Sequence, residues 1–109
     1  MGELLHVNDA NYDEIVEKVG KPAILDFGAT WCSPCKALEP TMKQLAVQYG
    51  EQLAVTKVDI EEAPATAQRF GILSVPTVVL LKAGKEVHRF SGLQSKEKIA
   101  DLIEKHLLG

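Results

Sequence analysis

Cys32 and Cys35 are the only cysteines in the chain, separated by Ser33 and Pro34. A thiol pair at this spacing has two chemistries open to it: half of a zinc site, or reversible dithiol–disulfide exchange. Zinc needs about four ligands, and no second CxxC exists to complete a set. His6, His88 and His106 fall on separate predicted elements, far from the pair in sequence, so no metal is expected. A structural staple is a poor third reading, because so small a ring restricts the unfolded chain little. Redox exchange is left.

The surroundings favour it. Ala23-Ile24-Leu25-Asp26-Phe27 is apolar but for one residue, as in a strand buried on both faces. Leu38, Met42, Leu45, Ala46 and Tyr49 mark a helix soon after it, with Gly50 past its end. The cysteines therefore open a helix that follows a buried strand. The first N–H groups of a helix are unpaired and carry the positive end of its dipole, so a sulfur there is favoured as thiolate, the nucleophilic form. Pro34, just inside the start, has no N–H to lose. Asp26 stands out because a buried carboxylate is costly unless paired. It reads either as a hydrogen-bonded core residue or as a group whose pKa is raised to take a proton from Cys35. Lys57, on the neighbouring predicted strand, is a candidate charge partner for it, or a solvated strand lysine.

The remaining elements fall into place around these residues. Tyr12, Ile15, Val16 and Val19 predict an amphipathic helix over 9–19, capped by Asn8 or Asp9 and ended by Gly20. Pro40 is expected to kink the second helix. Residues 53–59 and 77–81 read as strands, 63–70 as a short helix, Ala83-Gly84-Lys85 as a hairpin turn into 86–91, and Ser95 as the cap of a last helix. With Glu3–His6 as a weak first strand the order is βαβαβαββα. That is an α/β, three-layer α/β/α sandwich: a mixed central sheet, with an antiparallel hairpin at its C-terminal edge.

The chain has 109 residues, 46% hydrophobic and 25% charged, which fits a single domain over 1–109. A net charge of −3 offers no footprint for nucleic acid or an acidic membrane. No apolar run is long enough to span a bilayer. The N-terminal stretch Met1–His6 lacks the basic start and apolar segment of a signal peptide, so a cytoplasmic location is expected.

The run Asp26–Lys36, with Trp31 beside the first cysteine, resembles thioredoxins. So do Val58-Asp59, Phe70-Gly71-Ile72, Val75-Pro76-Thr77, Gly84 and Gly92, over roughly residues 22–108 without insertions. The resemblance implies that Cys32 is the exposed attacking thiol, Cys35 the recessed resolving thiol and Asp26 the proton acceptor and donor for Cys35, modulated by Lys57. It implies an active-site loop of Trp31, Ser33 and Pro34 and a redox disulfide Cys32–Cys35. It also implies a cis Pro76, where position before a strand alone favours trans. Trp31, Ile60, Val75, Pro76, Gly92 and Leu93 would frame an apolar client surface. No bound cofactor is implied. Electrons would come from NADPH through a flavin-containing thioredoxin reductase, the partners being that reductase and disulfide-containing clients of a monomer. An oxidase or isomerase, and an interaction subunit that does not use its thiols, are the competing readings; Pro34 and the intact set of Cys32, Cys35, Asp26 and Pro76 oppose them. Two departures stand out: Ser33 replaces the usual Gly, and Gly28 replaces a Trp common after the strand phenylalanine, removing a large packing group near the loop.

Overall fold

The structure, a computed structural model, describes residues 2–109; Met1, the first residue of the N-terminal stretch read above, lies outside them. Five strands form one sheet in the order β1-β3-β2-β4-β5: β1 (Leu5–Val7), β2 (Ala23–Gly28), β3 (Ala54–Asp59), β4 (Thr77–Lys82) and β5 (Lys85–Ser91). β1 and β2 both run parallel to β3, β4 is antiparallel to β2, and β5 is antiparallel to β4. The strand that leads to the cysteines is thus the central one. Helices α1 (Ser33–Tyr49) and α3 (Lys96–His106) cover one face and α2 (Pro64–Arg69) the other.

The alternation of side chains along β2 explains its composition. Ile24 joins Leu38, Met42, Val55, Val78, Leu80, Ile99 and Ile103 in the core under α1 and α3. Leu25 and Phe27 point the other way and join Tyr12, Val16, Val58, Val79 and Leu81. All six residues of β2 are buried, which is why it reads as a near-continuous apolar run. Asp26 shares the α1 face with Ile24. All five marker residues of the second helix are buried, and α1 continues through Pro40 as one element. The hairpin turns at Ala83 and Gly84, with φ of 54° and 77°, the pair of left-handed residues that a two-residue turn of the right twist requires.

The N-terminal helix departs from expectation. Residues 13–17 form a π-helical turn, with Lys18 N–H donating to the Asp13 carbonyl at 2.8 Å, in place of a regular helix over 9–19. Its start is where expected: Asn8 and Asn11 each accept from the other's backbone N–H, at 2.8 and 2.7 Å, a reciprocal cap with Asn8 as the capping residue. The Tyr12 and Ile15 N–H groups donate to the Asn8 and Asn11 carbonyls at 3.1 and 3.0 Å. Tyr12 and Val16 are buried but Val19 is exposed. Widening the turn by one residue per hydrogen bond rotates Val19 off the apolar stripe. Asp9 caps a different helix altogether: its carboxylate accepts from the N–H groups of Ala65 and Thr66 and from the Thr66 hydroxyl, at 3.1, 2.8 and 2.7 Å. Thr66 chiefly holds the Asp9 carboxyl below its usual range. The first strand sits later than Glu3–His6, over Leu5–Val7.

Candidate active site

Cys32 is the N-cap of α1, with extended backbone (φ −98°, ψ 109°), and Pro34 lies in the first turn. The Cys32 Sγ accepts from the Cys35 backbone N–H at 3.2 Å. The sulfur therefore takes the place of a capping side-chain oxygen and answers one of the orphan donors at the helix start. The two cysteines form a disulfide, their Cα atoms 5.3 Å apart. Ala29, Ile60 and Val75 pack around them.

Cys32 is only 5% exposed, against 3% for Cys35, so the expected contrast between an exposed and a recessed thiol is slight in the bonded state. The two sulfurs differ instead in what lies against them. That of Cys32 sits at the helix mouth, beside a Trp31 that is 65% exposed. That of Cys35 lies against the end of β2. A Cβ placed on Gly28 would stand 3.2 Å from both the Cβ and the Sγ of Cys35. The departure at Gly28 thus has a local consequence: the missing side chain gives Cys35 its seat. Gly28→Ala should press Cys35 outward by a few tenths of an ångström, since close-packed sites do not absorb a methyl freely. We expect insulin reduction to slow several-fold, while stability measured by denaturation changes by less than about 1 kcal/mol, overpacking being offset by the stiffer unfolded chain.

Asp26 lies two residues before Gly28 on the same face, a step of about 6.6 Å along the strand, which places it beneath Cys35. It is 2% exposed, and its Oδ1 has no hydrogen-bond partner among the described residues. Burial raises its pKa to about 7; the nearby Lys57 charge acts to lower it and Glu39 to raise it. Lys57 is the register partner of Asp26 on β3, but its ammonium is ion-paired with the Glu39 carboxylate of α1. Lys57 thus acts on Asp26 by its charge from the next strand, while its ammonium is bonded to another acid. In sequence Glu39 looks like any solvated helix glutamate, and nothing in its spacing marks the strand lysine beneath it.

The client-surface residues are brought together in part. The Val75–Pro76 peptide bond is cis, Pro76 is buried, and its carbonyl accepts from Gly92 N–H at 2.9 Å. Trp31, Ile60, Ile72, Leu73, Ser74 and Val75 line a cleft of about 120 Å³ beside the disulfide. Leu73, 98% exposed, is a residue that sequence reasoning missed; a lone leucine between helix and strand carries no periodic signal. Leu93 is exposed as well, though it does not line the cleft. Ser33 and Pro34 are exposed on the first turn of α1. His88 and His106 stack on each other at 4.4 Å, and among the described residues no three His, Cys, Asp or Glu side chains gather as a metal site would require. Among the same residues no helix is long and apolar enough to cross a membrane.

Residues 3–105 match the sequence model of the family described as Thioredoxin. The chain is 38% identical over 104 residues to proteins named thioredoxin from Staphylococcus haemolyticus and Staphylococcus aureus, covering 95% of this chain and 98% of each relative. A solved structure of a mutant thioredoxin from Halobacterium salinarum NRC-1 superposes with a TM-score of 0.87 at 37% identity, over 96% of this chain and 91% of that one. A disulfide-forming cysteine pair at the mouth of a helix, on a mixed five-stranded sheet and with such relatives along nearly its whole length, makes the chain a thiol–disulfide oxidoreductase acting on protein disulfides, and it belongs to the thioredoxin family.

Proposed function

We propose that the chain works as a reductant of client proteins in the cytoplasm, as a monomer, recharged by a flavin-containing thioredoxin reductase with electrons from NADPH and holding no cofactor of its own. One observation carries this reading: the Cys32 sulfur caps α1 and accepts the Cys35 N–H, an arrangement that favours a thiolate once the disulfide opens.

Cys32 thiolate attacks one sulfur of the client disulfide. The client S–S bond breaks, a Cys32–client bond forms, and the other client sulfur leaves as thiolate. Cys35 then yields its proton to Asp26 and attacks the Cys32 sulfur, releasing the second client thiolate. The client has gained two electrons, and Cys32 and Cys35 are again bonded. Asp26 serves this step because burial keeps its carboxyl half-ionised near neutral pH, close to where a general acid–base works best. The apolar cleft from Trp31 to Val75, with Pro76, Gly92 and the exposed Leu93 beside it, receives the extended client segment; Leu73 enlarges that face.

Dithiol-driven reduction of insulin tests the reading directly. Wild type should turn over and Cys32→Ser should fall to the uncatalysed rate. Activity retained by Cys32→Ser would reject the assigned nucleophile. The reduction potential of the pair separates the direction of flow, a value near that of an oxidase arguing for disulfide donation instead.

A further inference from the structure

Glu39 follows Cys35 by four residues and Lys43 follows Glu39 by four, so the three share one face of α1. That face lies over β2 and β3, with Cys35 against Gly28 and Glu39 over Lys57. Lys57 and Asp26 are in register on adjacent strands, on the same side of the sheet. Left to itself, a lysine in that position would find a buried carboxylate with a free oxygen as its nearest counter-charge. The ion pair with Glu39 gives it another, at side-chain exposures of 25% and 29%.

We propose that Glu39 is a positioning residue that sets the ionisation of Asp26, by holding the Lys57 ammonium in an ion pair and by adding a second negative charge above the same strands. This rests on the reading of Asp26 as proton acceptor for Cys35 only as far as its use in catalysis goes; the electrostatics stand alone. Both effects have the same sign. A captured lysine stabilises the Asp26 carboxylate less than a free one, and a neighbouring carboxylate opposes its ionisation. The same directions follow from the charges around Asp26, where Lys57 pulls its pKa down and Glu39 pushes it up.

The other charges facing this group are few. Lys43 Nζ lies 3.4 Å from the second Glu39 oxygen, on a largely exposed side chain. His6 on β1 is the register partner of Lys57 on its far side. Asp59 follows on β3, register partner of Gly28, and its carboxylate accepts from Glu61 N–H at 2.8 Å. Lys36 is exposed on the first turn of α1. β4 presents only Val78 to Asp26. Among these, Glu39 alone bonds the strand lysine while sharing the helical face of Cys35.

The test is the titration of Asp26 in the reduced full-length chain, read from its side-chain carboxyl carbon by NMR. Glu39→Gln keeps the shape and frees the lysine; the midpoint should fall by about one pH unit. Lys57→Met should raise it. In the Lys57→Met background, Glu39→Gln should lower the midpoint by clearly less than it does in wild type, since the part transmitted through the lysine is gone. An unchanged or higher midpoint in Glu39→Gln would overturn the proposal, and equal shifts in both backgrounds would overturn the capture of Lys57. The pH profile of insulin reduction provides the separate check on catalysis. If the midpoint falls and the profile does not follow, the role of Asp26 fails while that of Glu39 holds.

Discussion

Replacing Asp26 with alanine is expected to make the chain more stable at pH 8 and slower at its chemistry. The sign follows from linkage. The unfolded carboxyl titrates near 3.8 and the folded one at about 7, so between those values the native state binds the proton and the unfolded state does not. Wild-type stability therefore declines as pH rises through that window, and the full cost of ionising a buried acid is present above 7. A gap of this size corresponds at most to about 4 kcal/mol, from which a small cavity left by the shortened side chain is subtracted. Denaturant unfolding of both proteins across the range should show alanine slightly the less stable near pH 4, where only the cavity counts. It should then gain on wild type up to about pH 7 and be the more stable at pH 8. Insulin reduction below pH 8 should drop about tenfold or more, as expected when a positioned base is lost. A mutant that is less stable at pH 8 and fully active would reject both the raised pKa and the role.

Cys35→Ser has the larger effect on turnover. The serine hydroxyl fits the seat beside Gly28 but cannot displace a sulfur from a disulfide. Cys32 keeps its place at the helix cap and still attacks. Catalytic turnover should therefore vanish, while the protein accumulates as a one-to-one mixed disulfide with insulin, visible by intact mass and dissolved by excess dithiol. Turnover by the mutant at the wild-type rate would remove Cys35 from the reaction. Failure of the folded mutant to capture any client would remove Cys32.

Much of this was legible before the structure because several signals agreed. A doubly buried strand announces itself by an unbroken apolar run, and Asp26 was conspicuous as the one exception in it. α1 was legible because Leu38, Met42, Leu45, Ala46 and Tyr49 all fall on one face and all became core. The segment before β2 misleads only in part: its apolar spacing is helical and the reciprocal Asn8–Asn11 bonds do start a helix, but the turn widens over Asp13–Glu17, and that widening leaves no mark in the spacing. Lys57 and Glu39 could not be paired from sequence, since the contact spans a strand and a helix and depends on how α1 lies across the sheet. The cis geometry at Pro76 came from resemblance, not from any local signal. Leu73 had no signal at all.

β2 is held from four sides, by hydrogen-bonded strands left and right and by packed layers above and below. Opening the disulfide separates two sulfurs from bond length to ordinary contact, a displacement of about 1.5 Å, and a strand so confined has no slack to contribute. The movement falls on the side chains and first turn of α1 that stand above its end. Each opening and closing of the disulfide is therefore expected to return the same scaffold, with the surface a client meets differing between the two states only in a few atoms around the sulfurs.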